Sequence, residues 1–233
     1  MIRAGILALG LLLGACSRGP AGDDAASEVA VGVSVRFAPV ADDHPWVIAW
    51  LTSLALAPPP GIEARLDGRT ELAGQRVAEP VFAAATREPL REALAAYERE
   101  HPRPLELAPV WEQIDPEDPS GSPTWRLHFV ELGEDAGDFV VDGEARARLR
   151  DEPHGTVVEL RLGAGQREQL ASLTRVSVGH RLVIAIGDGG EWEAVAVPVV
   201  REPIAGGQVQ LWLGRGSARE AATRALLDRL RGA

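Results

Sequence analysis

Residues 195–214, VAVPVVREPIAGGQVQLWLG, read as strand at both ends and hold two prolines and a Gly-Gly pair between them. Proline lacks the amide that a central strand must donate, so Pro198 and Pro203 put this stretch at a sheet edge or bend, and Gly206-Gly207 lets the chain turn back into QVQLWL. Working outward, RLVIAI (181–186) is a strand ending in the turn GDGG, and WEAVAV (192–197) answers it as a hairpin partner. Downstream, Ser217 and Glu220 are spaced as a capping box for a helix with Ala221, Ala222, Ala225, Leu226 and Leu230 on its apolar face, ended by Gly232. Upstream, TWRLHFVEL (124–132) and TVVELRL (156–162) are strands, and AGQREQLASLT (164–174) is a short helix.

The first half is less regular. In EVAVGVSVRFAPV (28–40), Val29, Val31, Val33, Val35 and Phe37 alternate with small or polar residues, which predicts one half-buried strand. HPWVIAWLTSLALA (44–57) predicts a helix that stops before Pro58-Pro59-Pro60, with Trp46 and Trp50 sharing a core face. Strand-like pieces follow with Asp67-Gly68 as a turn candidate, and EPLREALAAYERE (88–100) is a helix. The stretch 101–123 carries six prolines, a run of acids and Gly-Ser, and reads as an irregular connection with a domain boundary near residue 120.

At the start, one basic residue, Arg3, precedes an apolar run over residues 4–13, too short to span a bilayer as a mature helix. The run ends in Leu13-Gly14-Ala15-Cys16, which resembles the bacterial lipobox. Cys16 is the only cysteine, so no internal disulfide can form, and the lipobox gives the thiol a role as the lipid attachment atom. Ser17 stands where aspartate would, by resemblance to enterobacterial sorting, favour inner-membrane retention, which points to the outer membrane. Residues 17–28 are small, polar and without apolar periodicity, as a tether is.

The 233 residues are 45% hydrophobic and 25% charged, an ordinary globular composition. All 24 basic residues are arginine, the net charge is −10, and no basic face is concentrated, which argues against nucleic-acid binding. His44, His101, His128, His154 and His180 form no His-x-His or His-x-x-x-His pair, so no metal site is expected. Asp115, Glu117 and Asp118 are broken up by prolines and lack a calcium-loop spacing. Ser172, Ser177 and Ser217 sit in no nucleophile elbow, and GAGQRE and GRGSAR carry Glu168 and Arg219 where a dinucleotide fingerprint needs its third glycine. No catalytic residue, cofactor or enzymatic activity is therefore expected. Among the six tryptophans, Trp192 and Trp212 are the candidates for a contact surface.

The order Leu170, Leu173-Thr174, Gly179, RLVIAI, Pro198 followed by Val-Val, Ile204, Gly206-Gly207, an alternating strand from Val209 and a closing helix LLDRLRGA resembles the head subdomain of the first periplasmic domain of SecD and SecDF. The resemblance covers residues 157–233. It departs from the family in a longer hairpin tip carrying Trp192, and in Val197 where alanine usually precedes the proline. The family's membrane-spanning half has no counterpart after residue 15, so motor function does not carry over. The resemblance implies an α+β fold of mostly antiparallel strands backed by helices, with Thr174, Gly179, Pro198, Gly206 and Gly207 as structural landmarks, and contact with exported polypeptide in the periplasm.

The expectation is thus an α+β chain of two small modules: a signal peptide (1–15), a tether (16–28), an N-terminal module (29–118) and a SecDF head-like domain (119–233). It would be a non-enzymatic, lipid-anchored envelope protein that binds exported or envelope polypeptides. The alternative is a structural module of an envelope assembly with no export role.

Overall fold

The computed structural model describes residues 28–70, 76–115, 122–133, 135–143, 145–152, 155–187, 191–211 and 217–232. In chain order the elements are β1 (Val29–Ala30), β2 (Ser34–Pro39), α1 (Pro45–Leu56), β3 (Ile62–Thr70), β4 (Arg76–Ala84), α2 (Arg87–Glu100), β5 (Leu107–Ile114), β6 (Thr124–Glu131), β7 (Phe139–Val141), β8 (Arg146–Glu152), β9 (Gly155–Arg161), α3 (Ala164–Val176), β10 (Leu182–Gly187), β11 (Trp192–Ala196), β12 (Gln208–Leu211) and α4 (Ser217–Arg231). The fold is α+β. One sheet has the order β3-β4-β6-β5-β11-β10-β2-β7 and the other β1-β8-β9-β12. Every ladder is antiparallel except that of β5 with β11.

The large sheet bends round on itself because β6 changes neighbour along its length. Trp125 and Arg126 pair with Ala84 and Ala83 of β4. Continuing that register would bring Pro80, which has no amide, opposite Phe129. The pairing of β4 with β6 has already ended at Ala83 and Arg126, and at Phe129 the chain leaving β2 takes the place of β4: the Ala41 amide donates to the Phe129 carbonyl at 2.8 Å, and Val40 bridges Val130. This joins the ends of the run β6-β5-β11-β10-β2 and closes five strands into a ring.

Side chains alternate across a strand, so the ring has an inner and an outer set. The inner set is small: Ala38, Val40, Val110, Val130, Val183, Ala185 and Ala194 form one cluster. Their chain neighbours face out into two separate cores. Outside β4, β5 and β6, helices α1 and α2 cover Phe82, Leu107, Trp111, Leu127 and Phe129, with Trp50 stacked on Phe82 at 4.3 Å and edge-on to Phe129 at 5.4 Å. Outside β2 and β10, the small sheet with α3 and α4 covers Phe37, Leu182 and Ile184, using Leu160, Leu170, Leu173 and Leu230.

Four expectations change. The strand foreseen over 29–37 is two, β1 and β2, which enter different sheets. Between them the Gly32 amide donates to the Leu230 carbonyl of α4 at 2.7 Å, and a Cβ on Gly32 would lie 2.4 Å from the Arg231 carbonyl oxygen. The proline-rich stretch 101–123 contains a central strand, β5. Pro109 is tolerated one residue before the pairing with β11 starts at Val110, where an amide is not needed on that side. Asp67-Gly68 is no turn but part of the unbroken β3–β4 ladder. The division at residues 118 and 119 does not follow the sheet, since β5 and β6 pair across it and β2 pairs with β10 and β7. None of the described helices is long and apolar enough to cross a membrane.

Candidate functional site

The fork where β4 leaves β6 gathers the most unusual chemistry of the fold. Arg181, just before β10, is 5% exposed. Its carbonyl accepts from the Val40 amide at 3.0 Å. Its guanidinium grips both oxygens of Asp42, with Nε to Oδ2 at 2.8 Å, and also donates to Glu79 of β4. Beside it, His128 of β6 and Glu112 of β5 are joined Nε2 to Oε2 at 2.8 Å, and the buried His128 Nδ1 has no hydrogen-bond partner.

Burial alone would lower the Arg181 pKa, but the Asp42 hydrogen bond and the charges of Asp42, Glu79 and Glu112 outweigh it and raise it above the ordinary value. Burial likewise pushes the Glu112 carboxyl up, yet the His128 hydrogen bond and the charges of His128, Arg126 and Arg181 hold it below the usual range. Both shifts favour the charged forms, which suits a set of ion pairs that clamps strands together.

At another point of the ring stands Trp192, opposite Val110 and facing the small inner residues. It is half-buried, lies against Gly187, where a Cβ would come within 3.0 Å of its ring, and carries the Arg36 guanidinium 4.6 Å from its centroid. Arg36 is in turn held by Asp138 at 3.3 Å. The indole expected to present a contact surface is half-buried, packed against Gly187 and stacked by a cation. On either side of Trp192, Glu193 of β11 and Glu191, just before the strand, receive Arg87 and Arg91 of α2, while Arg229 of α4 reaches Glu193 at 3.0 Å. Arg87 also lies 3.7 Å over the ring of Trp125. Glu191, whose side chain is 54% exposed, is the most accessible residue of this group.

The sequence landmarks meet around a shallow cleft lined by Phe37, Leu170, Leu182, Ile204 and Val209, with room for about one water. Thr174 is fully buried; its hydroxyl donates to the Leu170 carbonyl at 2.7 Å and accepts the Ile204 amide at 2.8 Å. The Gly179 amide donates to the Val200 carbonyl, and the Pro198 carbonyl accepts from Leu182, each at 2.9 Å. Gly207, at φ +64°, accepts from the Leu162 amide, and a Cβ there would run into the Arg167 side chain; Gly206 has open space around it. Cys16, Glu117, Asp118, His154 and Trp212 lie outside the described residues. Among the described residues no three His, Cys, Asp or Glu are placed to hold a metal ion.

Sequence reasoning missed the Arg181 cluster. Asp42, Glu79, Glu112, His128 and Arg181 come from five separate segments, and the single local cue was a charge set directly against an apolar strand, as Arg181 is before LVIAI and Glu79 before Pro80.

No family model and no curated protein matches the chain. Among solved structures it is similar to the crystal structure of SecDF in its super-membrane-facing form, with 15% identity, covering 87% of this chain and 29% of that one. It is also similar to a structure of SecDF described as a membrane component that enhances protein export, with 17% identity, covering 85% of this chain and 93% of that one. The TM-score is 0.30 in both cases, too low to equate the folds. The chain spans 29% of the length of the first of these structures.

Proposed function

We propose that this chain is a non-enzymatic cell-envelope protein, held on a membrane by lipid on Cys16 and facing the periplasm, whose SecD/SecDF head-like part binds exported or envelope polypeptides. The observation that carries the reading is the Thr174 lock: Thr174 is hydrogen-bonded to Ile204, 30 residues on, while Gly179, Pro198 and Gly207, which also mark the sequence resemblance, are hydrogen-bonded to Val200, Leu182 and Leu162. Acyl chains on Cys16, at about 0.8 kcal/mol per buried methylene, would make the attachment effectively permanent, with the outer membrane as its site.

The buried face of Trp192 favours a second reading, a structural module docked to one envelope partner through a small exposed surface. A photocrosslinker at position 191 separates the two. Capture of many unfolded secretory chains supports polypeptide binding; capture of one fixed partner, or of nothing, removes it. In the same cells, Cys16→Ser should move the protein from the membrane to the soluble fraction, and membrane retention would end the lipid-anchor reading.

A further inference from the structure

Sheet edges are exposed backbone, and proteins keep them short, twisted or repelled by charge. Among the described residues three of the four edges are short: β1 has two residues, β7 three and β12 four. The fourth, β3, is nine residues long and pairs with β4 without a bulge. Among the described residues its one main-chain bond outside that ladder is from the Ile62 amide to the Pro59 carbonyl. Leu66, at its middle, is 52% exposed, on the same face as Ile62 and Ala64, which pack toward α1. Glu63, Arg65 and Asp67 share the other face, with Arg65 bonded to both acids and all three at least 41% exposed.

The order of charges along this edge is acid, base, acid, base: Glu63, Arg65, Asp67, Arg69. Such a series is its own antiparallel complement. If a second β3 runs antiparallel with Leu66 opposite Leu66, Arg65 stands opposite Asp67 and Glu63 opposite Arg69, twice over. Centring the pair on Arg65 or on Asp67 sets like charge against like, and centring it on Ala64 or Gly68 keeps only half of the four contacts within 63–69, so the register at Leu66 pairs the whole series best. The alternating signs that fail to repel a second copy are what fit it.

We propose that β3 pairs edge to edge with β3 of a second copy of this chain about a twofold axis at Leu66, joining two eight-stranded sheets into one. The inference uses only the sheet edge and is independent of the anchoring and polypeptide-binding readings.

The test is sedimentation of the full chain over about a hundredfold range of concentration, reaching roughly 100 µM. The chain should self-associate. Arg65→Asp and Asp67→Arg, both at exposed positions, should each weaken it at least about tenfold by placing like charges opposite. An equimolar mixture of these two variants should recover the dimer, because each then supplies what the other lacks. With Cys16 replaced by serine, Leu66→Cys should form a disulfide between copies on mild oxidation. A wild-type chain that is monomeric throughout, or a dimer indifferent to both charge reversals, overturns the proposal. So does a Leu66→Cys chain that crosslinks an added extended peptide carrying a cysteine but not itself, which would assign the edge to that partner.

Discussion

The two outer cores flank the same ring and are built differently. The one under α1 and α2 is aromatic, with Trp46, Trp50, Phe82 and Phe129 in mutual contact, and its residues all come from positions 41–129. The other is aliphatic apart from Phe37 and Phe139, and gathers residues from 31–37 and from 139–230. The first is assembled from neighbours in sequence, while the second requires the chain to bring its beginning and its later segments together. Both nevertheless use the outer face of strands in one continuous sheet, so neither core is complete without the ring.

The severest way to disrupt this arrangement is Arg181→Met. It leaves the Asp42 and Glu79 carboxylates buried without their cation at the fork between the regions, at a cost of about 3–5 kcal/mol. Tryptophan emission, dominated by the aromatic side, and far-UV circular dichroism should lose their signals in a single transition. Separate transitions would show the ring is not a shared unit.

A smaller, one-sided effect is expected at Glu159, which is 1% exposed on the small sheet and bonded to Arg148, Arg150 and Arg161. Glu159→Gln should cost about 1–3 kcal/mol in denaturant unfolding. Burial raises the Glu159 pKa, but the Arg150 hydrogen bond and the charges of Arg148 and Arg161 bring it below its ordinary value of 4.5. Its stabilisation is therefore complete above about pH 4.5 and is lost as the pH falls through the lower folded-state value. The substituted chain should show a flatter acid profile than the wild type. An unchanged profile would mean that the three arginines do not act on Glu159.

The smallest effect separates two adjacent glycines on the aliphatic side. Gly207→Ala meets Arg167 and a left-handed backbone and should cost about 1 kcal/mol or more, whereas Gly206→Ala should stay within about 0.5 kcal/mol. Thermal melts of the two variants should differ accordingly; equal shifts would sink the distinction.

The contrast between local and distant assembly also governs what could be read from the chain alone. The α+β class and most helices were legible because apolar periodicity is local, as in Leu90 and Leu94 of α2. Ring closure was not, because it depends on Ala41 meeting Phe129, on the far side of several elements. The proline-rich stretch misled because Pro109 reads as a breaker until the neighbouring strand is known to begin one residue later. Of the Gly-Gly pair, which the sequence offers as geometry, only Gly207 needs to be glycine for space and backbone; nothing crowds Gly206. The Arg181 cluster was invisible for the same reason as the ring: its members share no segment.

The clasp between Gly32 and α4 has a consequence in time. Strand β2 finds its ladder partners, β10 and β7, more than a hundred residues later, and Gly32 waits for Leu230. A chain emerging amino end first could shape its aromatic half early but would hold β2 unpaired until β7 and β10 had followed, and Gly32 unclasped until α4 had. The fold therefore closes last where it begins, and its earliest segment remains an open strand for most of synthesis and, if the chain is exported, of passage.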